Sequence, residues 1–291
     1  MAMVTVGLPV YNAAPYLADA IQSVLNQTFR DWELLIVDDG STDNSVGIAR
    51  SFSDARIKVV VDGKNRSQSV RLNQICRMAK SPYIARMDAD DIMTIDRLQM
   101  QIAFMEENRT VDLVSSFIYS IDLNNQLQGI RGSTSMPKTL GEAVKGFPIV
   151  HPAVLTRRRW SLKNPYNEQI PRVQDYELWM RTFLTSQFAV IDRPLLFYRE
   201  IGIPYKEKYL HSSAQIRSIL KRQYRHKLGI QKMTQVLIAT RLKDALYTLF
   251  SFFKQEDWLL MRRNRPLPMQ ELDDAQKILN QSIQRNLTHM L

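Results

Sequence analysis

The sequence predicts an α/β protein: a mostly parallel sheet covered on both faces by helices, followed by a basic helical region. Three observations carry this. Runs rich in Val and Ile, each of strand length, alternate with helical patterns through the first part of the chain. Two of those runs end in carboxylates, Asp38-Asp39 and Asp88, Asp90 and Asp91, on the rim where such sheets collect ligands. The basic excess is confined to the end. Residues 1–205 hold 23 Lys and Arg against 22 Asp and Glu, while residues 206–291 hold 16 against 7.

VTVGLPV opens as a buried strand, and YLADAIQSVLNQT follows as a helix with Leu17, Ile21, Val24 and Leu25 on one face. WELLIVDD is a second buried strand. It ends in GSTD, where Ser41, Thr42 or Asp43 can cap the next helix. IKVVV is a third strand, SVRLNQICRMA a helix, YIARMD a fourth strand and IDRLQMQIAFMEEN another helix. Beyond residue 110 the pattern is less regular. It holds a strand-like DLVSSFIYSID, a Gly- and Ser-rich loop from Gln128 to Ser135, the segment FPIVHPAVLTRRRW and a helix-like RVQDYELWMRTFL. After about Pro204 only helical and basic patterns remain.

A chain of 291 residues suffices for one sizeable α/β core and an appended region, or for two domains. Its single cysteine, Cys76, excludes an intramolecular disulfide, fits a reducing compartment and reads as a buried small hydrophobe on its helix. The first residues enter a strand at once, without a basic stretch or cleavage signal, and no run approaches the apolar length of a membrane span. The expectation is a cytoplasmic protein, either free or peripheral on the inner face of the cytoplasmic membrane.

Three carboxylates within four positions repel one another, so a positive partner is expected among them. Asp88 and Asp90 are two apart, and on an extended backbone their side chains share a side. Such a pair offers hard oxygen ligands to Mg²⁺ or Mn²⁺ with positions left for water and phosphates. Taken alone, the same motif also reads as a solvated acidic turn. The first strand–helix turn, LPVYNAAPY, lacks the glycine fingerprint of a Rossmann dinucleotide site. A nucleotide here would be held through a metal and carboxylates.

Five motifs occur in a set order: Pro9-Val10-Tyr11-Asn12, SVLNQTFRDWELLIVDDGSTD, Leu72-Asn73, YIARMDADD and QDYELWMR. Together they resemble the family 2 glycosyltransferases of the GT-A fold, over residues 1 to about 200. The similarity is greatest to members that build bacterial surface polysaccharides and lipid-linked oligosaccharides. The resemblance implies residues 1–110 as the nucleotide-sugar half, 111–205 as the acceptor half and 206–291 as a basic helical appendage. It further implies a nucleotide-sugar donor (most often a UDP-sugar), a divalent cation, Mn²⁺ or Mg²⁺, and an inverting transfer to a saccharide or lipid-linked saccharide.

Residue by residue, Asp39 matches the carboxylate that accepts from the base, and Pro9, Tyr11 and Asn12 match the loop beside base and ribose. Asp88, Ala89 and Asp90 match the metal and ribose segment, with Asp90 the foremost metal ligand. Asp175 matches the general base, with Glu177 as its competitor. His151 is a candidate for the acceptor side or donor phosphate, with a structural hydrogen bond as the equal alternative. Asp38 and Asp91 read as turn and loop holders, and Trp179 and Leu178 as core. Two departures stand out. Asn65-Arg66-Ser67-Gln68 has no glycine where the family commonly does, which leaves Arg66 as a phosphate or base contact. No histidine follows PLLFYR closely, and His211 is only a distant substitute.

Competing readings are a sugar nucleotidylyltransferase and a non-catalytic nucleotide- or nucleic-acid-binding protein. The first lacks its Gly-rich, basic phosphate loop. Nucleic acid is not an expected partner, because the FSFF aromatics of the tail fall at core-like helical spacing. In that tail Leu242, Ala245, Leu246, Leu249, Phe250 and Phe253 recur at helical spacing among Lys243, Lys254, Arg262, Arg263 and Arg265. The pattern fits an interfacial helix on an anionic membrane, a homodimer contact, or packing on the catalytic domain.

Overall fold

A computed structural model of the chain describes residues 1–202, 206–253 and 255–285. The expected alternation is present: β1 (Val4–Val10), α1 (Leu17–Leu25), β2 (Trp32–Asp38), α2 (Ser45–Arg50), β3 (Ile57–Val60), α3 (Gln68–Met78) and β4 (Tyr83–Arg86). A two-residue β5 (Ile92–Met93) and α4 (Arg97–Glu107) complete the first half. Val4, Val6, Leu8 and Val10 of β1 point into the core shared with α1, while Gly7 points to the other face. A Cβ at Gly7 would meet Ile75 of α3 at 2.5 Å, so glycine lets that helix sit close. Cys76 lies on the same helix, where burial pushes its thiol up to about 11; it is inert packing, as expected.

The second half contributes β6 (Leu113–Asp122), β7 (Leu127–Arg131), α5 (Leu140–Ala143), a 3₁₀ turn at His151–Ala153, β8 (Leu155–Arg157) and α6 (Arg158–Lys163). It ends in α7 (Gln174–Thr182) and the long β9 (Phe188–Ile201). Among the described residues the strands form one nine-stranded sheet ordered β3-β2-β1-β4-β8-β6-β9-β5, with β7 on β6. Pairing is parallel across β3, β2, β1 and β4 and between β6 and β9, but antiparallel at β8, β7 and β5. The parallel expectation therefore applies to the first half, and the second half is mixed. The loop expected from Gln128 is strand through Arg131, because β6 folds back on that segment as a hairpin.

The chain after residue 206 is helical, as read: α8 (Lys206–Ile219), a π-turn, α9 (Arg225–Leu228), α10 (Ile230–Phe252), α11 (Glu256–Met261) and α12 (Met269–Ile283). Pro204 and Lys254, named above, lie outside the described residues. These helices pack in two places. Ile219, Leu220, Tyr224 and Met233 share a core with α5 and α7. Ala275 and Leu279 of α12 are fully buried at the other end of the sheet, Leu279 against Ile92, Ile121 and Phe197. No described helix is long and apolar enough to cross a membrane.

Candidate active site

The rim expected to collect ligands is formed where β1, β2 and β4 end. β4 stops at Arg86, and the chain then turns, the Asp91 amide donating to the Asp88 carbonyl at 3.4 Å. Carboxylate oxygens of Asp88, Asp90 and Asp91 lie within 4.8 Å of one another. A turn brings them together, not the pleat of an extended strand, which corrects the same-side argument while keeping its result. Ala89, between them, is buried.

Buried arginines frame this turn. Arg86 Nη2 donates to Asp88 Oδ1 at 2.7 Å, and Gln68 Nε2 donates to the same oxygen at 3.2 Å. From β9, the Arg199 amide donates to Asp91 Oδ1 at 3.0 Å and its Nε to the Asp90 carbonyl at 2.9 Å. Asp91 thus holds the loop, as read, yet its Oδ2 is buried with no partner. Burial and the neighbouring Asp88 charge push Asp90 up to about 6, and burial with both neighbours pushes Asp91 well above the usual carboxylate range. A cluster of hard oxygens that repel one another, one of them unpartnered, fits a hard divalent cation held by Asp90 and Asp88.

At the end of β2, Asp38 accepts from the Gly40 and Ser41 amides and is a turn holder, as read. Asp39 Oδ1 accepts from the Arg66 amide at 2.7 Å and from Arg71 Nε at 2.8 Å; its Oδ2 accepts from the Ser67 amide at 3.1 Å. Oδ2 keeps capacity for one more donor, such as a base. Arg66 reaches Asp39 through its backbone, while its side chain turns to Asp62 at 3.3 Å, away from the phosphate or base role expected of it. Tyr11 is half exposed beside this pocket, and Pro9 is buried in β1. Asn12, at φ 49°, has its Oδ1 occupied by the Thr42 amide at 2.8 Å, so it fixes the loop facing Asp39.

Asp175 lies in the first turn of α7, partly exposed. Burial raises its pKa, with Arg86 opposing and Asp88 adding. Gln174 donates to Gln68 at 2.6 Å and Gln68 to Asp88, so the helix bearing Asp175 is tied to the acidic turn. Glu177 is buried and paired to Arg181 at 2.9 Å, whereas Asp175 is partly exposed. His151 is buried, its Nε2 2.8 Å from Tyr166 Oη and its ring edge-on to Trp179. Burial, with Arg86 nearby, holds it well below its usual pKa, hence neutral. These surroundings are those of a structural hydrogen bond, the alternative to its acceptor-side or phosphate role. Trp179 and Leu178 are core, and His211 is exposed on α8. Glu200, which follows the PLLFYR arginine, is committed to Arg131 at 2.7 Å.

Sequence reasoning missed Arg71, Arg86, Gln68 and Arg199. Arg86 lies in YIARMDADD, Gln68 in the glycine-free stretch and Arg199 at the end of PLLFYR, but nothing in the sequence identifies a partner for any of them.

The family model "Glycosyl transferase family 2" matches residues 5–170. The chain belongs to that family. Consistent with this, it is 33% identical over 215 residues to an uncharacterized glycosyltransferase of Methanocaldococcus jannaschii, covering 72% of this chain and 73% of that one. It is 30% identical over 190 residues to WfgD of Escherichia coli, named as a UDP-Glc:α-D-GlcNAc-diphosphoundecaprenol β-1,3-glucosyltransferase, covering 65% and 73%. Two solved structures share its fold: S. aureus TarS 1–349 with UDP (TM-score 0.57, 18% identity, 97% of this chain and 80% of that) and the Pyrobaculum calidifontis mannosyltransferase PcManGT with GDP-Man and Mn²⁺ (0.58, 16%, 96% and 80%). The sheet and its helices are thus a GT-A fold. This family 2 glycosyltransferase is an enzyme of nucleotide-sugar transfer, and the nucleotidylyltransferase and non-catalytic readings fall.

Proposed function

We propose that the enzyme is an inverting, divalent-metal-dependent transferase moving a sugar from a UDP-sugar to a saccharide carried on a lipid diphosphate. The convergence of Asp88, Asp90 and Asp91 within 4.8 Å, tied through Gln68 to the helix of Asp175, carries this reading. Asp39 Oδ2 accepts a hydrogen bond from the base, and Tyr11 and Pro9 flank it. Asp90 and Asp88 hold Mn²⁺ or Mg²⁺, which when bound offsets the charge of the leaving nucleoside diphosphate. Lys208 of α8, close enough to lower the Asp90 pKa, adds positive charge there. Asp175 takes the proton of the acceptor hydroxyl as that oxygen attacks the anomeric carbon in line.

The lipid-linked acceptor is supported by WfgD, whose name specifies a diphosphoundecaprenol substrate. The surface of α10 supports it too. Leu242, Leu246, Leu249 and Phe253 form one helical stripe, 67%, 44%, 54% and 62% exposed, with Arg241 and Lys243 alongside. Such a stripe suits an anionic membrane surface.

The decisive experiment is a donor screen with Mn²⁺ and analysis of the product anomer. Inversion, loss of transfer in excess EDTA, and loss in Asp90→Ala with an unchanged circular dichroism spectrum are expected. Full activity in EDTA, or a retained configuration, overturns the mechanism.

A further inference from the structure

Between α8 and α10 lies a groove of about 480 Å³, within the size of small-molecule sites. Tyr176 of α7 and Val144, after α5, close its inner end, the tyrosine hydroxyl donating to the Val144 carbonyl at 3.2 Å. Ile216, Val236 and Ala239 make its walls apolar, and Lys145, Lys232 and Lys243 stand along it.

Two features mark this groove as a binding site for an anion with an apolar tail. The first is charge without compensation. No carboxylate lines the groove, and none of the three lysines is paired with one among the described residues. The same two helices do form an ion pair elsewhere, Arg217 to Asp244 at 2.6 Å. Three ammonium groups lining one concavity make it positive, a field that favours an anion. The second feature is position. Tyr176, at its inner end, directly follows the proposed base Asp175 in α7. At its other end, Lys243 adjoins Leu242, the first residue of the exposed stripe that continues through Leu246 and Leu249.

We propose that this groove binds the acceptor's diphosphate and the first part of its lipid chain, delivering the attached sugar to Asp175 while the chain runs out along α10. The inference rests on the lipid-linked acceptor reading and names the residues that recognise it. Phosphate oxygens take the lysines, and Ser213, whose oxygen accepts from Arg217 at 2.7 Å, keeps its own proton to donate. The apolar walls explain why a free phosphate would be the poorer ligand.

The test is binding of farnesyl diphosphate to the full chain in EDTA, followed by calorimetry. Without metal the acidic turn repels a diphosphate, and no donor or transfer is required. Failure here therefore leaves the donor and metal assignments untouched. Saturable binding is expected, about tenfold or more tighter than that of either inorganic diphosphate or farnesol. Replacing Lys145, Lys232 and Lys243 together by Gln should weaken it by about tenfold or more, and the same positions as Arg should retain it. Should the triple variant fail to fold, Lys145→Gln alone, at an exposed position, must still weaken binding. Unchanged affinity in the Gln variants overturns the proposal. So does equal affinity for inorganic diphosphate, which would leave a phosphate site without a lipid, or for farnesol, which would leave an apolar surface without a phosphate site.

Discussion

Ser67 holds φ 91° and ψ 153°, a backbone conformation that is nearly the preserve of glycine. It lies in the glycine-free stretch Asn65-Arg66-Ser67-Gln68, and it pays in strain to present its amide to Asp39. Its hydroxyl is also buried without a partner. Strain of this kind costs about 1–3 kcal/mol, while glycine's extra unfolded-state freedom costs about 0.5–1 kcal/mol. Ser67→Gly should therefore stabilise the protein by about 1 kcal/mol, read as a higher urea midpoint at unchanged slope; a lower midpoint would show the serine to be unstrained. At Asp175 the expectation concerns rate. Asp175→Asn should lower turnover by about 10² to 10⁴ with donor affinity nearly unchanged, whereas Glu177→Gln, which only frees Arg181, should keep most of its turnover. A base works deprotonated, and burial raises this carboxyl, so kcat/KM should fall with decreasing pH through a value above that of an ordinary aspartate. Asp175→Asn should abolish that acid limb.

β9 matters for what it does to the acidic turn. Besides its bonds to Asp90 and Asp91, Arg199 donates to the Asp122 carbonyl and to Asn125 Oδ1, each at 2.6 Å, and lies over the Tyr16 ring. Arg199→Ala should raise the Mn²⁺ concentration for half-maximal transfer by about 10- to 100-fold, the usual effect of loosening a ligand's support. Arg199→Lys should not rescue it, since an ammonium cannot replace a planar fork; full activity at unchanged Mn²⁺ would refute this clamp. The same element shows what could be read in advance. β1, β2 and α1 were legible because their apolar spacing alone fixes which face is buried. β5 and β9 were not, because a two-residue strand and one with register shifts owe their existence to partners distant in sequence, while LQGIR of β7 has no strand alternation of its own and becomes a strand through its hairpin with β6. Likewise the acidic cluster was legible from charge alone. Arg71, Arg86 and Arg199 were not: a guanidinium in a sequence reads as surface, and only the fold reveals the carboxylates and carbonyls that bury it.

For the whole molecule, vesicle binding should rise with anionic lipid and fall with salt. It should drop by well over tenfold when Leu242, Leu246 and Leu249 are all changed to Ser, given about 1.5–3 kcal/mol per buried side chain. Concentration-dependent dimers without vesicle binding would assign the stripe to a second copy instead. Truncation near residue 205 is the wrong instrument for this question, because it also removes α12. That helix is stitched to the start of the chain, with Asn26 Nδ2 donating to the carbonyls of Gln281, Ser282 and Gln284 at 3.1, 3.0 and 2.9 Å. Leu279 beneath it seals Ile92, which follows the acidic turn by one residue. The consequence is one of timing. A ribosome adding roughly 5–20 residues per second makes Asn26 tens of seconds before the carbonyls it will bind. Through that interval Ile92, Ile121 and Phe197 emerge in turn without α12 to cover them. Until α12 follows, this edge of the sheet is apolar surface open to a chaperone, and the support beside Asp91 is not yet in place.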